Sequence, residues 1–238
     1  MSETLRVLFD FYVRVSIAAP MFDYAAAPAD VIRTSEFAAL SVHDRTTYAR
    51  QLCDMVLALH GAGIVLVDFK PSNVMIKYSL AARVPTLKAI DADSWRLAGS
   101  PLGSITGGGA PVLPDFTPMY AAVELLRAWR AGRLGTLVAG AEMDLYSLGL
   151  FLATLLSAAC RPPFEDDGAA VAAAVNAPPA AAALACGGSD YARDAVAALL
   201  AVDPAARAGT SLAGLLEKNK YLNAGAKSTA AHAADELG

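Results

Sequence analysis

Asp68, Lys70 and Asn73 fall within six residues of one another, in the segment Leu59-His60-Gly61-Ala62-Gly63-Ile64-Val65-Leu66-Val67-Asp68-Phe69-Lys70-Pro71-Ser72-Asn73. Eighteen residues beyond Asn73 comes Asp91, at the end of the β-like run Leu87 to Ile90. Taken together, these four side chains are the set that phosphoryl transfer from ATP uses. One carboxylate can orient and deprotonate a hydroxyl nucleophile, and an ammonium group can steady charge on the moving phosphoryl. An amide oxygen and a second carboxylate can hold magnesium against the phosphates. Any one of them alone says little, because an Asp in a loop is usually a turn or cap residue.

The elements that would position this set can be read from the hydrophobic pattern. Residues 43–60 predict a helix, with Tyr48, Leu52, Met55, Val56 and Leu59 on one face at 3.6 spacing and Gly61 and Gly63 ending it. Ile64 to Val67 and Val74 to Lys77 are short β-like runs flanking the polar loop, and Val84 to Ile90 is another. Residues 97–114, dense in Gly and Pro, predict a loop. From Ala121 the pattern is helical, with breaks near 131–140, 161–168 and 178–188. Leu145 to Cys160 carries no charge over 16 residues and predicts a helix buried on all sides. At the N-terminus, residues 6–18 alternate with β-formers up to Pro20 and predict one or two strands.

With the loop and its flanking elements in place, the chain resembles the eukaryotic-type protein kinases. Leu66-Val67-Asp68-Phe69 with Asn73 in register resembles the family's H-R-D-L-x-x-x-N catalytic loop, and Asp91-Ala92-Asp93 resembles its D-F-G in the first residue. Thr117-Pro118-Met119-Tyr120-Ala121-Ala122-Val123-Glu124 resembles T-P-x-Y-x-A-P-E, Asp144 to Gly149 the start of the central helix, and Asp203-Pro204-Ala205-Ala206-Arg207 the late D-P-x-x-R. These pieces occur in the family's order across roughly residues 10 to 220.

The resemblance implies an α+β kinase-like fold, mostly helical, with a small β-sheet at the N-terminal edge. It implies ATP and Mg2+ as cofactors, Asp68 and Lys70 as catalytic groups, and Asn73 and Asp91 as the metal-holding residues. It places Met21 and Asp23 near the adenine, in the hinge. It also implies a buried Glu124–Arg207 ion pair, a catalytic-loop contact from Thr117, and Ser/Thr hydroxyls as acceptors. The domain division that follows is 1–24 as a remnant of small lobe and hinge, 25–222 as the kinase-like lobe, and 223–238 as a disordered tail.

The sequence also departs from the family. It has no G-x-G-x-x-G, and no lysine precedes Lys70, so the family's phosphate lid and strand lysine have no counterpart there. Val67 replaces the Arg that reads a phosphate on the activation segment, so function is expected not to depend on phosphorylation of 94–117. Asp93 replaces a glycine and adds a carboxylate near the expected metal. Two function classes follow: a serine/threonine kinase domain, and a pseudokinase-like interaction module with little or no catalysis. A helical scaffold without a nucleotide site would not need the four polar residues in register. The partners expected are a protein substrate or partner and a separate or upstream N-lobe.

Composition narrows the remaining classes. The net charge of -4 and pI near 5.3 offer no basic footprint for nucleic acid. The apolar run 145–160 is shorter than the roughly 20 residues a membrane span needs. Cys53, Cys160 and Cys186 have neither disulfide nor zinc spacing, which favours small packing residues in a reducing, cytoplasmic setting. His43, His60 and His232 show no metal or catalytic spacing and are expected in cap, packing and tail roles.

Overall fold

The computed structural model describes residues 42–77, 86–103, 113–157, 162–176, 190–208, 212 and 214. The strands expected in 6–18, the hinge positions Met21 and Asp23, the tail 223–238, Cys160, Cys186 and His232 lie outside these residues.

Helix α1, Val42–Gly61, forms where the 3.6-residue pattern places it. Its inner face buries Tyr48, Ala49, Leu52, Cys53, Val56 and Leu59, while Met55 is only partly covered. Burial raises the Cys53 thiol to about 12, which leaves it an inert packing residue. Gly63 turns the chain out of the helix at φ +73, a conformation that costs glycine little.

Two small antiparallel sheets follow. Strand β1, Ile64–Val65, pairs with β4, Arg96–Leu97, with Ile64 opposite Leu97. Strand β2, Val74–Lys77, pairs with β3, Thr86–Ala89, with Val74 opposite Ala89. The expected strand Ile64 to Val67 is therefore two residues shorter, because the chain bends at Val67 into the left-handed region, φ +66, and leaves the ladder. The expected loop 97–114 also carries some ladder: Leu97 belongs to β4, and Pro101 bridges Val138.

Helices α2 (Val123–Arg130), α3 (Ala141–Leu156), α4 (Asp167–Asn176), α5 (Asp190–Leu199) and the short α6 (Pro204–Ala208) complete the described chain. Helix α3 is the axis of the core, packed against α1, α5 and α6. Every residue from Met143 to Leu156 is buried, and each large apolar side chain there is worth about 1.5–3 kcal/mol. The expected start at Leu145 is four residues late. Glu142 and Asp144 fall in the first turn, where negative charge suits a helix N-terminus. The buried hydroxyls fold back on the helix itself: Ser147 Oγ donates to the Met143 carbonyl at 3.2 Å and Thr154 Oγ1 to the Leu150 carbonyl at 2.9 Å.

A mostly helical body with two short antiparallel sheets is the α+β class expected. Among the described residues, no helix is long and apolar enough to cross a membrane.

Candidate active site

The loop carrying Asp68 is held from below by α3. Asp144, with no exposed surface, accepts the backbone N–H of Leu66 at 2.8 Å and of Val67 at 2.9 Å. His60, from the last turn of α1, lies 2.9 Å from the same carboxylate through Nε2. Phe69 is buried and tilts against Phe151 of α3, with ring centroids 5.6 Å apart. The two residues flanking Asp68 are thus fixed from the core, and Asp68 stands between them.

The expected polar set comes together on this base. Asp68 Oδ1 accepts the Thr117 N–H at 2.8 Å. Asp68 Oδ2 pairs with Lys70 Nζ at 2.6 Å and accepts from Asn73 Nδ2 at 3.2 Å. Lys70 Nζ also donates to Thr117 Oγ1 at 2.6 Å, which is the catalytic-loop contact expected of Thr117. Asn73 Nδ2 donates in addition to the Asp68 carbonyl at 2.9 Å. Since Nδ2 is committed to Asp68, Oδ1 is the Asn73 atom left for a cation, which suits the hard oxygen ligands magnesium takes.

Asp91 is carried next to the loop's end by the backbone of the second sheet. Val74 faces Ala89, and Ile90 N–H donates to the Asn73 carbonyl at 2.9 Å, so Asp91 emerges one residue past the Asn73 pairing. It is exposed and holds φ +63, ψ +70, which a non-glycine residue rarely adopts. The turn after it, Ala92–Ser94, is tied to the segment leading into Thr117, since Ser94 Oγ donates to the Asp115 carbonyl at 2.8 Å.

The far end of that segment is anchored too. Glu124, in the first turn of α2, pairs with the fully buried Arg207 of α6. Arg207 also donates to the Glu142 carbonyl at 3.0 Å and the Ala201 carbonyl at 2.5 Å, and its guanidinium lies 5.1 Å from the Tyr146 ring centre. The other oxygen of Glu124, Oε2, is buried without a hydrogen-bond partner. Burial pushes the Glu124 carboxyl up, against the pull of Arg207.

The family model described as "Protein kinase domain" matches residues 16–219. This chain belongs to the protein kinase family. Among curated proteins, a kinase of Dictyostelium discoideum, named "Probable serine/threonine-protein kinase fhkE", is 33% identical over 122 residues. That stretch is 50% of this chain and 15% of the relative's length, so it covers a small part of a much longer protein.

Within this kinase domain, Asp68, Lys70, Asn73 and Thr117 form one bonded cluster, with Asp91 one pairing step away. Met21 and Asp23, the expected adenine-side residues, lie outside the described residues. Three residues that shape the site stand out little in the sequence. His60 reads as a packing residue, yet it bonds the α3 carboxylate. Asp144 reads as a motif position alone, and no pattern marks Arg96. The signal for His60 and Asp144 was weak, since their 84-residue separation leaves no local pattern. A charged residue at the very edge of the uncharged run that begins at Leu145, and its place in the Asp144 to Gly149 motif, are the sequence clues to Asp144.

Proposed function

We propose that this domain transfers the γ-phosphoryl group of magnesium-bound ATP to a serine or threonine hydroxyl of a protein, with residues 25–222 as the phosphotransfer lobe. The observation that carries this reading is the bonded cluster of Asp68, Lys70, Asn73 and Thr117 on a loop clamped by Asp144. A scaffold gains nothing from concentrating a carboxylate, an ammonium and an amide at one loop.

Asp68 takes the acceptor's proton. Its Oδ1 is fixed by the Thr117 N–H, which orients the carboxylate and leaves the Oδ2 side facing Lys70. Lys70, bridging Asp68 and Thr117, offers its positive charge to the phosphoryl as it moves. Asn73 Oδ1 and the Asp91 carboxylate would hold magnesium, which when bound neutralises charge on the phosphate oxygens. Thr117, sitting against Asp68 and Lys70 at once, supports serine or threonine as the acceptor, and the serine/threonine kinase title of the Dictyostelium relative agrees.

A second reading keeps one observation on its side. No lysine precedes Lys70 in this sequence and no glycine-rich phosphate loop occurs, as in an interaction module of pseudokinase type. Loss of one such electrostatic contact costs roughly 10²–10³ in rate, so a slow enzyme and a non-enzyme must be separated by binding. Titration calorimetry with ATP and magnesium should show magnesium-dependent binding that Asp91→Ala abolishes. Asp68→Ala should leave that binding and remove transfer to a serine/threonine peptide library. No binding at high concentration gives the molecule to the interaction-module reading, and labelling of tyrosine alone overturns the acceptor class.

A further inference from the structure

We propose that Arg96 is a positioning residue, which holds the turn following Asp91 from inside the domain and so keeps Asp91 facing the metal. The inference rests on Asp91 being a magnesium ligand, as read above.

Arg96 is buried, 8% exposed, on strand β4. Its guanidinium is directed at main-chain carbonyls: Nη1 donates to Asp93 at 3.0 Å and to Trp95 at 2.9 Å, and Nε to Leu102 at 3.2 Å. Asp93 and Trp95 are the second and fourth residues after Asp91, and Leu102, on the next turn, is itself fully buried. One rigid planar group therefore ties the turn after Asp91 to the buried Leu102. On the other side, Asn73 holds Ile90 at 2.9 Å. Asp91 is exposed between these two fixed points and holds a left-handed backbone conformation, φ +63, that is sparsely populated outside glycine.

Only an arginine fits this task. A lysine ammonium is a single point with a flexible stem, and cannot present a planar fork to three carbonyls at once. An apolar replacement would leave those carbonyls in a water-poor place without donors. Burial already pulls the Arg96 guanidinium below its ordinary value, the expected cost of keeping a cation there. Outer-shell groups that orient a metal ligand typically affect metal affinity by about 10–100-fold, and that is the effect expected here.

The test uses the full chain with Arg96→Met and Arg96→Lys, magnesium and ATP as the probes, and two readouts. In hydrogen exchange, Arg96→Met should speed the amides of residues 92–95 by about tenfold or more, with those of 143–156 unchanged. In calorimetry, it should weaken magnesium-dependent ATP binding about 10–100-fold, and leave magnesium-independent ATP binding as in the wild type. Arg96→Lys should fall between, and carries the comparison if Arg96→Met does not fold. Against an Asp91→Asn background, Arg96→Met should add little further loss of magnesium dependence, because its action passes through Asp91. Equal magnesium-dependent affinity in wild type and Arg96→Met overturns the inference, as does an undiminished loss in the Asp91→Asn background. A wild-type chain that binds no magnesium–ATP sinks the phosphotransfer reading instead. In that case unchanged exchange at 92–95 refutes the clamp, and accelerated exchange upholds it as a clamp on the turn.

Discussion

The Asp144 carboxylate accepts the backbone N–H of Val67 at 2.9 Å, and Val67 is held there at φ +66. A β-branched residue in the left-handed region is strained by about 1–3 kcal/mol. The bonds to Asp144 outweigh it: hydrogen bonds to a charged group are worth about 1.5–3 kcal/mol each, and Asp144 makes two to this loop. The loop is bent because the core grips it, and the bend is what brings Asp68 to Thr117.

Relieving that strain should offset the loss of a buried side chain. Val67→Gly gives up about 1.5–3 kcal/mol of burial but recovers much of the strain. Val56 is equally buried, within α1, and has no strain to recover. Urea unfolding should show Val56→Gly costing about 2 kcal/mol more than Val67→Gly. Equal costs would mean that Val67 is not strained.

Asp144→Asn keeps the shape of the side chain and removes one of its two acceptor oxygens. One of the loop amides then faces an NH2 group, at a cost of about 2–3 kcal/mol. His60→Ala should cost less, about 1 kcal/mol, because His60 lies nearer the surface and water can replace it. The two changes share a partner, so the double variant should be less destabilised than the sum. Strict additivity in chemical denaturation would show that the pair is not coupled.

Thr117→Val removes the oxygen that receives Lys70 Nζ and keeps the N–H that donates to Asp68. Magnesium–ATP binding should be unchanged, since neither metal-facing residue is touched. Peptide phosphorylation should fall by about 10–100-fold, as Lys70 loses one of its two fixed partners. A variant with full turnover would remove Thr117 from the site.

Gly149 lies where α3 meets α5. A Cβ at this position would come within 2.9 Å of Leu200 and 3.0 Å of Leu199. Gly149→Ala should therefore lower stability by about 1 kcal/mol net, overpacking outweighing the gain in helix propensity. With Leu200→Ala already in place the cost should shrink, the contact with the Leu199 Cβ remaining. Thermal melts of the four proteins decide it, and a stabilising Gly149→Ala in the wild-type background would contradict the close packing.

Glu124 gives a pH signature. Its folded value is raised by burial, so the folded state favours the protonated form. That contribution is complete below the unfolded value and is lost as pH rises through the folded one. Relative to Glu124→Gln, which does not titrate, the wild type should gain stability as pH falls from neutral toward the ordinary Glu value. Melting curves at several pH values check this. A wild type that instead weakens relative to Glu124→Gln over that window would show Arg207 prevailing over burial.

The residue order by itself determined a good part of this molecule. The period of α1, the uncharged stretch of α3 and the runs flanking the loop are local patterns, and local burial preferences suffice to read them. The spacing of Asp68, Lys70 and Asn73 is local as well, so the cluster they form is legible as a chemical set in the sequence alone. The tertiary structure decided what holds that set. Asp144 meets Leu66 and Val67 across more than 70 residues, Arg207 meets Glu124 across 83, and Thr117 meets Asp68 across 49. Such contacts leave no period in the chain, because a buried polar group finds its partner through the packing of whole helices. The same holds for Arg96, whose partners are carbonyls that every residue possesses, so that only their arrangement in space distinguishes them.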